Sequence, residues 1–235
     1  MTKKKSDNIT FIAEIGLNHN GNFGLFFELI KQAANAGADF AKFQLGWRSK
    51  ENEINNLGPE EIKLIIDSCE YNGIEPLFSI FTEEAFELAK NYNFSAYKIA
   101  SRTVIDNKEL VRDIISENKR TFISLGMTNE KSPFGNDANI EYLWCKSEYP
   151  ALPWSLKDLP KDFKNSGYEG YSDHSVGIEI PLMAIERGAK VIEKHFTLDK
   201  SDTTIRDHAL SATPEELKLL IDLGRSIKRN LNLGI

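Results

Sequence analysis

Eight short apolar runs, most of them followed by a stretch with helical periodicity, constrain this chain more than any other feature. The runs span residues 11–16, 40–44, 76–81, 96–101, 121–126, 142–147, 167–173 and 190–197. Helical patterns cover 24–36, 59–72, 83–91, 107–117, 176–187 and 214–230. Strands that alternate with helices must run parallel, because a crossover helix returns the chain to the same edge. Eight such units are the count of a closed (β/α)8 TIM barrel. The punctuation agrees. Thr82 precedes Glu83 and Glu84, and Thr213 precedes Pro214, Glu215 and Glu216, which are helix-start signals. Gly37 and Gly188 stand where helices stop. Two connections are thin. After Gly126 the chain reads MTNEKSPFGNDANIE, with no helical period, so the fifth helix is expected to be reduced to a loop. The sixth, between 154 and 165, is short and interrupted by Pro160. No linker or low-complexity stretch divides the chain, so residues 1–235 read as a single domain.

The formal net charge of −6 argues against a nucleic-acid partner. Lys3 to Lys5 begin like a targeting signal, but Glu14 and Asn18 interrupt the apolar run that follows. No window reaches the roughly 18 apolar residues of a spanning helix. Cys69 and Cys145 lack metal or redox spacing and read as two reduced thiols. The expectation is a cytoplasmic protein with no membrane partner.

Strand alternation sorts the polar residues by face. Glu14 shares a face with Ile12 and Gly16, Lys42 with Phe40 and Gln44, and Lys98 with Ala96 and Ala100. Ser172 goes with His174, and Glu193 with His195. All lie in the C-terminal halves of their strands, the end at which barrel active sites form. The bland reading of each is a satisfied polar residue of the barrel core. Five strands bringing such groups to one rim favour a site. His174 and His195 end neighbouring strands and suit a divalent cation with open coordination positions; Mn2+, Fe2+, Co2+ and Zn2+ all fit that donor set. Glu193 and Asp207 are placed to orient the ligands or to hold substrate hydroxyls. Lys42 and Lys98, with Ser101, Ser124 and Ser172, read as a pocket for phosphate or carboxylate. A core ion pair of Lys42 with Glu14 is the structural alternative. Lys194 points the other way, its ammonium expected to reach water. The stretch GLNHNGN (16–22) offers tight turns and polar side chains near the mouth, and in isolation is a loop.

The stretches IAEIGLNHNG (12–21), KFQ (42–44), YKIAS (97–101), SEYP (147–150), GYSDHSVGIEIPLMAIERGAKVIEKHFTLDK (170–200) and DHALS (207–211) together resemble the N-acetylneuraminate (sialic acid) synthase family. The resemblance implies a metal-bearing TIM barrel that condenses phosphoenolpyruvate with an N-acyl hexosamine, yielding a nonulosonic acid and phosphate. It implies His174 and His195 as metal ligands, with Mn2+ the expected ion. It implies Lys42, Lys98, Ser101, Ser124 and Ser172 around phosphoenolpyruvate. Gln44, Tyr149 and Asp207 would lie toward the amino sugar, and Glu14 near the reacting carbonyl or its water. Relatives carry a C-terminal antifreeze-like domain, which completes a partner's sugar site in a dimer. The chain stops after the eighth helix, so a barrel domain alone is expected, as a homo-oligomer or beside a separate antifreeze-like protein. Departures from the family pattern are Thr103, where a glutamate is usual, and Ile80, which would remove a hydroxyl from the phosphate pocket. They keep two other readings open: a non-catalytic relative that binds a sugar or sugar acid, and a metal-dependent aldolase.

Overall fold

A computed structural model describes residues 9–234, so the basic stretch Lys3 to Lys5 lies outside the described residues. Eight parallel strands close on themselves in sequence order. They are β1 Thr10–Gly16, β2 Phe40–Leu45, β3 Glu75–Ile80, β4 Ala96–Ile99, β5 Arg120–Ser124, β6 Ile140–Cys145, β7 Gly170–Asp173 and β8 Val191–His195. The last strand pairs with the first, Glu14 opposite His195, which leaves no open edge. The helices around the barrel are α1 Phe26–Ala36, α2 Pro59–Asn72, α3 Glu83–Ala89, α4 Ser101–Asp106, α5 Lys108–Ser116, α6 Glu179–Glu186 and α7 Pro214–Leu233. None is long and apolar enough to cross a membrane.

Local chemistry explains the boundaries. Thr82 caps α3 by accepting from the Ala85 amide, and Thr213 with Glu216 forms a reciprocal cap on α7. Gly37 and Gly73 end α1 and α2 in the left-handed conformation. The connection after β5 has no helix, as its sequence predicts. The sixth connection differs from expectation. Pro160 and the polar residues around it leave only a 3-10 turn, Pro153–Ser155. Leu159 and Phe163 from that segment are buried and cover the outside of the barrel in place of a helix. Strand four is also shorter than its apolar pattern, because Ser101 opens α4 instead of ending β4.

The core has two compartments. Between sheet and helices lies a large apolar layer that includes Phe11, Phe26, Phe43, Phe78, Tyr97, Ile123 and Ile192. Inside the barrel a smaller cluster of Ile12, Phe40, Leu77, Ala96, Phe122, Leu143 and Val191 plugs the lower end. Interior positions of alternate strands share a level in such barrels. The strand registers put Ile12, Leu77, Phe122 and Gly170 on one level, with Lys42, Lys98, Leu143 and Glu193 on the next. Glu14, Ser79, Ser124 and Ser172 follow above them. The interior therefore changes from apolar to polar within one side-chain layer.

Gly170 is needed for this packing. A Cβ at that position would enter the Val191 backbone, with the Val191 Cβ only 2.6 Å away. Gly170→Ala is expected to lower stability by about 3 kcal/mol or more, since the clash is with main chain that cannot rotate away. Gly73→Ala meets no atom within 4 Å; its cost is confined to the left-handed backbone, about 1–2 kcal/mol. Urea unfolding of both variants checks the ranking; equal losses would contradict it.

Candidate active site

The polar layers open into a cavity of about 400 Å3 at the C-terminal end of the strands. Every residue singled out from the sequence lines it: Glu14, Lys42, Gln44, Lys98, Ser101 and Ser124 on one side, Tyr149, Ser172, His174, His195 and Asp207 on the other. Glu193 joins them, as do Ser79, Cys145 and Ser147, which sequence reasoning had not placed in the site. Strand alternation reaches those three as well, because they follow Leu77 and Leu143 at even spacing. Trp47, Phe81, Arg102, Met127 and Arg206 complete the rim from segments beyond the strands.

At the floor of the cavity, Lys42 Nζ lies 2.9 Å from Glu14 Oε2 and 3.0 Å from Glu193 Oε1. It also donates to Ser79 Oγ at 3.3 Å. Lys98 donates to Ser124 Oγ at 2.8 Å and to its neighbour's carbonyl, and stands 3.8 Å from Glu193. Ser172 Oγ donates to Glu193 Oε1 at 2.8 Å. The core pair of Lys42 with Glu14 is thus formed, and it sits inside the cavity, so the structural and functional readings of Lys42 coincide.

This arrangement separates the two carboxylates. Burial would raise Glu193, but Lys42 and Lys98 outweigh it and bring its pKa down to about 2. Glu14 has a single lysine neighbour and a second carboxylate nearby; burial dominates and its pKa is raised. Lys42, held by both carboxylates, is raised despite its burial. Lys98 is lowered to about 8, by burial first, against a partial counterweight from Glu193. Above about pH 8 that lysine begins to lose its charge; below it the ammonium faces a cavity suited to an anion.

The imidazoles of His174 and His195 face each other with ring centroids 5.3 Å apart. His174 Nδ1 lies 2.7 Å from the Lys146 carbonyl. A carbonyl only accepts, so Nδ1 carries the proton and Nε2 presents its lone pair in the neutral ring. His195 Nδ1 is buried and has no hydrogen-bond partner among the described residues. Burial, with His174 and Lys42 nearby, holds His195 well below the usual histidine range and hence neutral. Burial lowers His174, but Cys145 and the Lys146 carbonyl outweigh it and its pKa is raised. Both rings are oriented, and in their neutral form each has an unengaged nitrogen for a divalent cation. Among the described residues no third His, Cys, Asp or Glu completes a cage, so an ion held here keeps positions for water or substrate. Tyr149 stacks on His174 at 4.1 Å, and the Arg206 guanidinium lies 4.5 Å over the Tyr149 ring.

Three expectations are corrected by the structure. Lys194 does not reach water; it is 1% exposed and its ammonium meets Asp173 at 2.6 Å behind the sheet. Ile80 packs in the layer between sheet and helices, and Thr103 is buried behind the sheet with its hydroxyl on the Ile80 carbonyl at 3.4 Å. Neither lines the cavity, so Ile80 takes no hydroxyl from the pocket. The polar side chains of 16–22 act as braces. Asn18 donates to the Phe196 carbonyl and Ser211 Oγ, both at 2.9 Å, His19 meets Asn55, and Asn20 meets Asp202 and His208. These bonds tie the loop after β1 to those after β2 and β8.

Comparison with known proteins places this geometry in a lineage. Residues 49–235 match the NeuB family. The N,N'-diacetyllegionaminic acid synthase of Campylobacter jejuni is 34% identical over 95% of this chain and 78% of its own length. The human N-acetylneuraminate-9-phosphate synthase is 29% identical over 94% of this chain and 70% of its own. The crystal structure of N-acetylneuraminic acid (sialic acid) synthetase from Leptospira borgpetersenii, in complex with citrate, superposes with a TM-score of 0.82 at 28% identity. That match covers 98% of this chain and 89% of the other. The chain, with its closed barrel and polar interior, belongs to the NeuB family.

Proposed function

We propose that this chain is a synthase that condenses phosphoenolpyruvate with an N-acyl hexosamine to form a nonulosonic acid and phosphate. The observation that carries this reading is a single cavity holding two lysines, five serine hydroxyls, a carboxylate pair split in acidity and two facing imidazoles. Lys98, Ser101, Ser124 and Ser172 hold the phosphate and carboxylate of phosphoenolpyruvate. A divalent cation held by His174 and His195, Mn2+ in this proposal, supplies Lewis acidity toward the sugar aldehyde. Gln44, Tyr149 and Asp207 orient the sugar so that its aldehyde carbon meets C3 of phosphoenolpyruvate. Bond formation leaves positive charge at C2, where water adds, and negative charge on the former aldehyde oxygen, which takes up a proton to become a hydroxyl. Glu14, with its raised pKa, takes the proton of that water. Lys42 keeps Glu193 ionised and Glu14 within reach of C2. The tetrahedral intermediate expels phosphate by C–O cleavage, the ammonium of Lys98 balancing the departing charge. We place the reaction in the cytoplasm, in one barrel domain over residues 1–235 that works as a homo-oligomer. A separate antifreeze-like protein would complete the sugar side.

With Mn2+, the protein is expected to release phosphate from phosphoenolpyruvate only when an N-acyl hexosamine is present. His174→Ala and His195→Ala are each expected to lower kcat about 100-fold or more, as loss of a metal ligand does. Oxygen-18 in the bridging position should leave with phosphate; its retention in the organic product would contradict the C–O cleavage route. Silence across a broad panel of acceptors, with an antifreeze-like domain supplied, would contradict the synthase reading.

A pH dependence follows from Lys98. Its pKa of about 8 means that the ammonium is present below that pH and is lost above it. Affinity for phosphoenolpyruvate is therefore expected to be flat from about pH 6.5 to 7.5 and to weaken up to about tenfold per unit above 8. Lys98→Arg, whose charge does not titrate in this range, should remove that dependence. A dissociation constant that stays level from pH 7 to 9.5 in the parent would contradict the assignment.

A further inference from the structure

Lys194 and Asp173 form a fully buried ion pair that the chemistry above does not use. Both point out of the barrel into the apolar layer. The corresponding outward positions near the upper ends of the other strands are Ile15, Leu45, Ile80, Ile99, Ile123 and Trp144. An apolar pair would pack as well there, so charge in this layer calls for a reason. Its location supplies one. Asp173 immediately precedes His174, and Lys194 immediately precedes His195. The strands register Asp173 directly against Lys194.

The contacts bracket His174 on both sides. The Lys194 ammonium donates to Asp173 Oδ2 and to the Ser175 carbonyl. Asp173 Oδ1 accepts from the Ser175 amide at 2.8 Å, from Ser175 Oγ at 2.7 Å and from the Tyr171 hydroxyl at 2.6 Å. The residues before and after His174 are thus fastened to the residue before His195. We propose that the Lys194–Asp173 pair is a positioning device: from behind the sheet it fixes the separation of the two imidazoles and so sets the affinity for the divalent cation. This rests on the metal reading of the site given above.

The test is Mn2+ binding to the full chain, read from the paramagnetic resonance signal of free Mn2+, with urea unfolding of the metal-free protein alongside. In Lys194→Met/Asp173→Leu, apolar side chains of similar size replace the buried ions, so the unfolding midpoint should stay near that of the parent. The dissociation constant for Mn2+ is expected to rise about 10–100-fold, as for lost outer support of metal ligands. A folded double variant that binds Mn2+ within about twofold of the parent overturns the proposal. If that variant does not fold, Asp173→Asn decides: it removes the charge of the pair and keeps the side chain's size. Mn2+ binding weakened by about threefold or more supports the device, and unchanged binding overturns it. A parent protein that binds no Mn2+ removes the metal reading and this device together. Binding by the parent with unchanged variants removes the device alone.

Discussion

The ammonium of Lys42, placed between two buried carboxylates, is the contact on which the interior of this barrel depends. At 2.9 Å from Glu14 and 3.0 Å from Glu193, it offsets charges that could not otherwise sit 2–5% exposed above an apolar plug. It also makes them unequal. Glu193 receives a second lysine and a serine hydroxyl and stays ionised; Glu14 receives one lysine and a glutamine amide and is shifted upward. Two carboxylates of different acidity in one cavity are what a site needs when one must stay charged and the other must exchange a proton.

Charge is distributed around this centre on both faces of the sheet. Inside, lysines and carboxylates balance over the floor, and Ser79, Ser101 and Ser124, which accept from Lys42, the Gly126 amide and Lys98, leave hydroxyl donors for an anion. Outside, at the ends of β7 and β8, a second ion pair stands directly behind the two histidines. Elsewhere the layer between sheet and helices is almost wholly apolar. Buried charge is therefore concentrated where the candidate site is, apart from Glu141 at the opposite end, which meets the half-exposed Arg120. The loop after β1 extends the same economy of placement, bracing the segments that carry Trp47 and Asp207 with side-chain amides and imidazoles.

Much of this is legible in the sequence because a strand has a period of two. Once Phe40 and Val191 face inward, Lys42, Glu193 and His195 must do so too, and all the site residues named from the sequence line one cavity. What period two cannot supply is the partner. It turns Lys194 outward but says nothing of Asp173, twenty-one positions earlier, so burial was missed. Nor does it read loops: Trp47, Arg102, Met127 and Arg206 reach the rim from segments with no repeating pattern. Helix α4 was hidden because Ser101 to Asp106 carries β-branched residues whose helical state is imposed by packing. The same limit misplaced Ile80 and Thr103, whose departures from the family pattern meet each other behind the sheet.

Lys42 holds two buried carboxylates in place. The most direct measurement is urea unfolding at pH 7 of Lys42→Met and of Lys42→Met/Glu14→Gln. Removing the lysine alone should cost about 3–5 kcal/mol, because it strands carboxylates in a low-dielectric interior. Neutralising Glu14 as well should recover about 1 kcal/mol or more of that loss. A Lys42→Met protein as stable as the parent would show that the carboxylates do not need the ammonium and would contradict its central place in this interior.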